Sequence, residues 1–340
     1  MRLWGLFLFA LGIFFCSTVL GETVREHISN YSFDEAKVLL EDRIDDMGSQ
    51  VELACLLFDC LHFEASQETL KKAINSIGEN IDETELGKAQ ALRSIVFSRL
   101  HRISEASKCL DRADDLFAHP RGPSEASLLK LTMAALDFEK AKNIQALELA
   151  LDAASYAKMA RNRFVEARAY LLIGERGPYP QRLKSLLRAL DLSTNYPLGG
   201  AFESRVSLAL ATHLQSKKRY EEALGYLLQS SEKLQSGVAD PLIVKLRFRE
   251  GLLRNHLERW AGAIRALLLA RKAAKRLDDS LMFARTSYPL IKACRARNIL
   301  KEAVHYGQEG LAALEGIETR SAGMLRKKLE KEIASIDSPK

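Results

Sequence analysis

The segments Arg219–Leu228, RYEEALGYLL, and Arg259–Leu268, RWAGAIRALL, lie forty residues apart and share one spacing of bulky and small side chains. The spacing recurs at Phe33, Ile103, Asn143 and Ile299, and its fixed element is an alanine: Ala36, Ala106, Ala146, Ala223, Ala263 and Ala303. Three residues before that alanine stands Phe33, Ile103, Tyr220, Trp260 or Leu300; four after it stands Leu40, Leu110, Ala150, Leu227, Leu267 or Gly307. Seven after it a small residue returns at Ala113, Ala153, Ser230, Ala270 and Gly310. Steps of three, four and seven place all of these on one stripe of a helix. Small residues on that stripe admit a neighbouring helix at close range.

Each marked segment follows another apolar-periodic stretch, such as Phe202–Gln215 or Pro241–Arg259, so the unit reads as helix, short turn, helix. The alanines are 40 residues apart from Ala106 to Ala146 and from Ala223 through Ala263 to Ala303. Gaps of 70 and 77 residues each leave room for a degenerate copy, near Ser66 and Arg182, giving about eight units. One helix pair cannot bury its own apolar stripe, whereas stacked pairs bury each stripe against the next; a repeated neighbour therefore demands a repeated sequence.

These residues resemble the tetratricopeptide repeat family, whose first helix carries a small residue twelve positions before the alanine, here Ser94, Ala134, Ala211 and Gly251. Units near 40 residues, the missing first-helix tryptophan and the missing closing proline mark a long-unit, divergent variant. The resemblance implies an all-α, right-handed superhelical solenoid of antiparallel helix pairs. The expected organisation is a signal segment over 1–21, repeats over 22–190 and 191–320, and a capping helix and tail over 321–340. Gly174–Gln181 and Ser193–Gly200 are rich in proline and glycine and mark either a divergent turn or a hinge near residue 190, and Pro289 is expected to kink or delay its helix. In the closing segment Met324, Leu325, Leu329 and Ile333 form a thin apolar stripe.

The first residues, MRLWGLFLFALGIFFCSTVLG, place one arginine before an apolar run from Leu3 to Cys16 and short residues up to Gly21. That is the layout of a secretory signal cleaved after Gly21, and a periplasmic or secreted protein follows from it; the alternative is an uncleaved N-terminal membrane anchor. Cys55 and Cys60 are five helical steps apart, roughly 8–9 Å, too far for a disulfide. With Cys109 and Cys294 they read as small buried hydrophobes, a Cys55–Cys109 bridge being the exception.

The charge balance is +6 overall but polarised: 11 basic and 20 acidic residues from Glu22 to Pro120, against 21 and 12 from Asp240 to Lys340. A basic end outside the cytoplasm attracts acidic proteins, anionic lipid headgroups or wall polymers. No phosphate-binding loop, nucleophile elbow or paired-histidine zinc motif is present, and the seven histidines are scattered, so no enzyme, cofactor or metal site is expected. The resemblance instead implies a concave groove built by the first helices. Counting back from the alanines places Arg205, Thr212 and Gln215 there, then Lys245, Phe248, Leu252 and Asn255, then Arg285, Tyr288, Lys292 and Arg295. Such a face reads as a receptor for a protein or peptide segment, acidic in character, or else as a peptide- or ligand-sensing regulatory domain. Nucleic acid is not expected as a partner, and a membrane only if the N-terminal segment is retained.

Overall fold

A computed structural model describes residues 47–75, 83–117, 121–195, 200–233 and 241–337. Among them every regular element is an α-helix: α1 (Met47–Asp59), α2 (Phe63–Asn75), α3 (Glu83–Arg99), α4 (Ile103–Leu116), α5 (Pro123–Glu139), α6 (Asn143–Met159), α7 (Arg163–Arg176) and α8 (Tyr179–Asn195). They continue as α9 (Gly200–Ser216), α10 (Tyr220–Lys233), α11 (Pro241–His256), α12 (Trp260–Arg276), α13 (Ser280–Ala296), α14 (Leu300–Ala312) and α15 (Arg320–Asp337). Consecutive helices pair as the repeat predicts, giving seven pairs among the described residues and a closing helix. The unit marked by Ala36 and the signal segment lie outside the described residues. The degenerate copies are real: Ser66 is the fourth residue of α2 and Arg182 the fourth of α8, the position the alanine holds elsewhere.

The marker alanines explain why the pattern repeats. Ala106, Ala146, Ala223, Ala263 and Ala303 are all 0% exposed. In two units a hydrogen bond joins the marker position to the residue twelve positions earlier. Ser94 Oγ donates to the Ala106 carbonyl at 2.7 Å, and Ser66 Oγ donates to the Ala54 carbonyl at 2.7 Å. A backbone carbonyl within reach of a side chain one atom long means the two helices cross almost in backbone contact. Gly251 shows the tolerance: a Cβ built there would fall 2.4 Å from Leu267 Cγ, inside any permitted contact.

Six of the seven turns between paired helices follow one design; the α7–α8 turn passes instead through Gly177 at φ −63°. Leu61, His101, Ala141, Lys218, Glu258 and Asn298 occupy the left-handed region, with φ between 58° and 70°. The amide of the next residue reaches back to a carbonyl five positions earlier, as in Arg102 N to Phe97 O at 2.9 Å, Arg259 N to Arg254 O at 2.8 Å and Ile299 N to Cys294 O at 2.8 Å. That is a Schellman closure, which normally recruits glycine; none of these positions has one, so each turn carries a local strain of about 1–2 kcal/mol that packing must offset.

Three expectations are corrected or refined. Pro289 neither delays nor interrupts its helix: α13 runs from Ser280 to Ala296 with Pro289 buried inside it. Met324 points outward, because the inward stripe of α15 is Ala322, Leu325, Leu329 and Ile336, a spacing of three, four and seven that excludes it. Among the described residues Cys55, Cys60, Cys109 and Cys294 form no disulfide, and no bridge joins Cys55 to Cys109. Burial pushes the Cys294 thiol up to about 11, so it packs as a neutral side chain.

The chain divides into two compact units, Met1–Glu203 and Ser204–Lys340. In the first, the core is built of alanines and leucines with Phe58, Phe117 and Phe138. A buried ion pair, Arg168–Asp59, crosses it, 2.6 Å apart with side chains 8% and 6% exposed. The guanidinium is ringed by Phe58, Phe164 and Phe202, at 4.2 to 5.6 Å from the ring centres. The second unit ends where α15 covers α13 and α14, and Arg326 donates to the Leu314 carbonyl at 2.9 Å, satisfying a carbonyl just beyond the end of α14.

Replacing Gly251 by alanine should destabilise the protein by about 1–3 kcal/mol, because Leu267 must be displaced from a filled crossing. Denaturant unfolding of the Gly251→Ala protein measures this, and an unchanged midpoint would show that the helices can separate at no cost.

Candidate binding face

The first helices of the second unit are α11, α13 and the part of α9 from Ser204. Two polar links tie them in succession. Arg249 Nη1 on α11 donates to Gln215 Oε1 at the end of α9, at 2.7 Å. Asn255 Nδ2 at the end of α11 donates to the Pro289 carbonyl of α13 at 2.9 Å.

Both links are chemically incomplete. Among the described residues Gln215 is the only polar partner of the Arg249 side chain, and no carboxylate balances its charge. Burial holds the Arg249 pKa below the usual guanidinium range, the mark of a cation stripped of water without a counter-ion. Asn255 is 5% exposed, and its Oδ1 has no hydrogen-bond partner among the described residues. A buried acceptor without a donor costs about 1–3 kcal/mol unless something arrives to satisfy it. The arrangement thus offers the half-buried guanidinium of Arg249 to an anion, while Asn255 Oδ1 is sealed from solvent.

The first unit treats its cations differently. Arg168 is answered by Asp59, Arg176 by Glu139 at 2.6 Å, and Arg99 by Glu175. Glu166, fully buried, accepts from Arg163 at 2.6 Å and Arg188 at 3.2 Å. These charges are neutralised from within the same unit; Arg93 on α3, whose Nε is buried without a hydrogen-bond partner among the described residues, instead lies 5.2 Å from the Phe97 ring centre.

The residues expected at the face sort into four groups. Gln215 and Asn255 belong to the links just described. Thr212 and Lys245 are exposed, the Thr212 hydroxyl donating to its own helix at the Leu208 carbonyl, 2.7 Å away; Lys292 is exposed on α13. Arg205 is buried in α9, and Phe248 is half-buried against Val244, Ala274 and Met282. Arg285, Tyr288 and Arg295 meet the closing helix: Arg285 donates to Ser321 Oγ at 3.1 Å, and Arg295 to Glu332 at 2.7 Å and Ser335 at 3.0 Å. Lys328 Nζ stands 5.8 Å from the Tyr288 ring centre. Those three residues hold the cap in place.

Two contributors were missed by the sequence reading. Arg249 is one helical turn after Lys245 and on its stripe, so the signal was present; its missing counter-ion was not. His256 stacks on Tyr220 with ring centres 4.5 Å apart and planes 2° from parallel. Partial burial and the charge of Lys292 lower the His256 pKa below the ordinary imidazole value.

No protein-family model matches the chain, and no curated protein sequence matches it. Solved structures do. The apo form of the quorum sensor NprR from B. thuringiensis superimposes with a TM-score of 0.58 at 15% identity, covering 86% of this chain and 82% of that one. A Rap protein complexed with competence and sporulation factor gives 0.51 at 13% identity, over 86% and 85% of the two chains. A signal-transduction ATPase with a tetratricopeptide repeat sensor, from Pyrococcus horikoshii, gives 0.50 at 17% identity, over 86% of this chain and 46% of that one. The fold is that of the tetratricopeptide-like helical repeats. Identities this low carry the architecture and leave the chemistry of the binding face to the residues themselves.

Because His256 is depressed, its neutral form is favoured in the folded protein. Its contribution to stability is present above about pH 6.5, the free value, and is lost as pH falls below it. The His256 ring resonances should titrate with a midpoint below 6.5, moving upward in Lys292→Ala; a midpoint above 6.5 in the wild type contradicts the assignment.

Proposed function

We propose that this protein is a non-catalytic, exported scaffold that holds an acidic peptide or an acidic segment of a protein on the first-helix face of residues 204–340. The observation that carries the proposal is Arg249, a desolvated guanidinium whose only polar partner among the described residues is the neutral amide of Gln215. A carboxylate supplies what Arg249 lacks through a charge-assisted hydrogen bond. Exposed Lys245 and Lys292 extend the same preference for negative charge. A shared repeat fold suits extended ligands because successive first helices present equivalent positions along a line.

A second reading, a peptide-sensing regulator, is favoured by the likeness to a quorum sensor along most of both chains. The two readings share the same binding face and differ in whether occupancy changes the protein's other interactions.

Selection from a random peptide library on the immobilised full chain tests the binding face. Enriched peptides should be rich in Asp and Glu, and Arg249→Gln should weaken them about tenfold or more, the scale of one charge-assisted bond. Enrichment without acidic character, or unchanged binding to Arg249→Gln, overturns the proposal. Export rests on residues 1–21 alone. The intact mass of the protein from its own host should lack those residues and be found outside the cytoplasm; a full-length mass in the membrane fraction would make it an anchored scaffold instead.

A further inference from the structure

The second helices of the unit formed by residues 204–340 turn a different surface outward, and α12 is unlike any of its neighbours there. Ala263, Ala266, Leu267, Ala270 and Ala274 fill its buried face. On the opposite side Arg265, Leu269, Lys272 and Arg276 follow one another at steps of four, three and four, all exposed, flanked by exposed Lys275 and half-buried Leu268. Leu269 is 47% exposed. From Trp260 to Arg276 there is no acidic residue.

The charges of this row are unanswered. Among the described residues Arg265, Lys272, Lys275 and Arg276 make no ion pair or side-chain hydrogen bond. Exposed arginines elsewhere in the same unit do: Arg219 pairs with Glu222 at 2.5 Å, Arg259 with Glu221 at 2.8 Å and Arg295 with Glu332 at 2.7 Å. Lys275 and Arg276 lie in the last turn, where the helix dipole favours positive charge, and their mutual repulsion with Lys272 is offset there. The packing of the alanine face holds α12 in place regardless.

We propose that the outer face of α12 docks on an anionic phospholipid surface. A row of cations with a leucine in its midst is the make-up of a helix that lies in the plane of a bilayer interface, its aliphatic group entering the headgroup boundary and its cations meeting phosphates. The aliphatic stems of lysine and arginine extend that apolar strip while their charged ends remain in water. The surface is a straight row along one helix, which suits a fluid, laterally uniform partner. The apolar run from Leu3 to Cys16 adds an independent argument, since it directs the chain to a membrane whether it is later removed or kept. This surface is separate from the first-helix face and does not depend on what binds there.

Sedimentation of the full chain with vesicles tests the proposal. Vesicles of phosphatidylcholine alone are compared with vesicles of equimolar phosphatidylcholine and phosphatidylglycerol. The N-terminal apolar run, if present, inserts into both, so the difference between the two isolates the electrostatic contact. The wild-type protein should favour the anionic vesicles, and a salt concentration near 1 M, where the Debye length is about 3 Å, should abolish the preference. The triple variant Arg265→Glu, Lys272→Glu, Arg276→Glu should lose roughly a hundredfold or more of that partition, at about fivefold for each cation removed. Leu269→Glu should weaken it as well. The variant Lys140→Glu, Lys142→Glu, Lys158→Glu changes the net charge equally on the other unit and should keep the preference. Equal partition on both vesicles, or a triple variant that binds as the wild type does, overturns the proposal. So does capture of the wild type by soluble polyglutamate with no preference for anionic vesicles, which would assign the face to an acidic protein.

Discussion

Everything in this protein depends on how closely two helices can cross. Where Ser94 Oγ reaches the Ala106 carbonyl, and where Gly251 leaves no room beside Leu267 for a methyl group, the helix pair is set by backbone rather than by side-chain volume. Where a crossing is set by backbone, the next pair meets a surface that side-chain volume does not vary. Positions off that stripe are released from the fold. That release is why the architecture is shared with proteins only 13–17% identical, and why identity of fold carries so little about the ligand.

The freedom off the stripe has been used in opposite ways by the two units. In the first, the carboxylates of Asp59, Glu139, Glu166 and Glu175 neutralise guanidinium groups from helices up to 109 residues distant. A buried ion pair of this kind adds little net stability compared with an apolar pair of the same shape, but removing one partner is costly, so it fixes an arrangement. In the second unit the acidic residues are fewer, and cations are left over: Arg249 inside the first-helix face, and the row from Arg265 to Arg276 outside. A folded protein that keeps charges unanswered on two separate faces is built to have them answered by something else.

The polar links between first helices also show how a repeat becomes individual. Gln215 and Asn255 hold the same place in successive units, yet Gln215 accepts from an arginine while Asn255 donates to the carbonyl of a proline inside the next helix. The next equivalent, Arg295, bonds to the closing helix. One position has therefore become a spacer, a half-satisfied acceptor and an anchor for the cap.

The helices, their pairing, their register and even the degenerate units at Ser66 and Arg182 were legible in the sequence, because steps of three, four and seven are local and survive divergence. What the sequence could not decide was which side chains find partners. Tyr288, Arg285 and Arg295 looked like members of an open face until α15 was seen to cover them, and Met324 looked apolar enough to be inside until the stripe of Ala322, Leu325 and Leu329 was seen to turn it out. Pro289 reads as a helix breaker and sits in an unbroken helix, with its carbonyl also held by Asn255. The six left-handed turn residues gave no warning, since none is glycine. Periodicity determines which face of a helix is buried; the stacking of pairs some 40 residues apart decides which charges on the other face meet an opposite charge, and only the tertiary structure contains that distance.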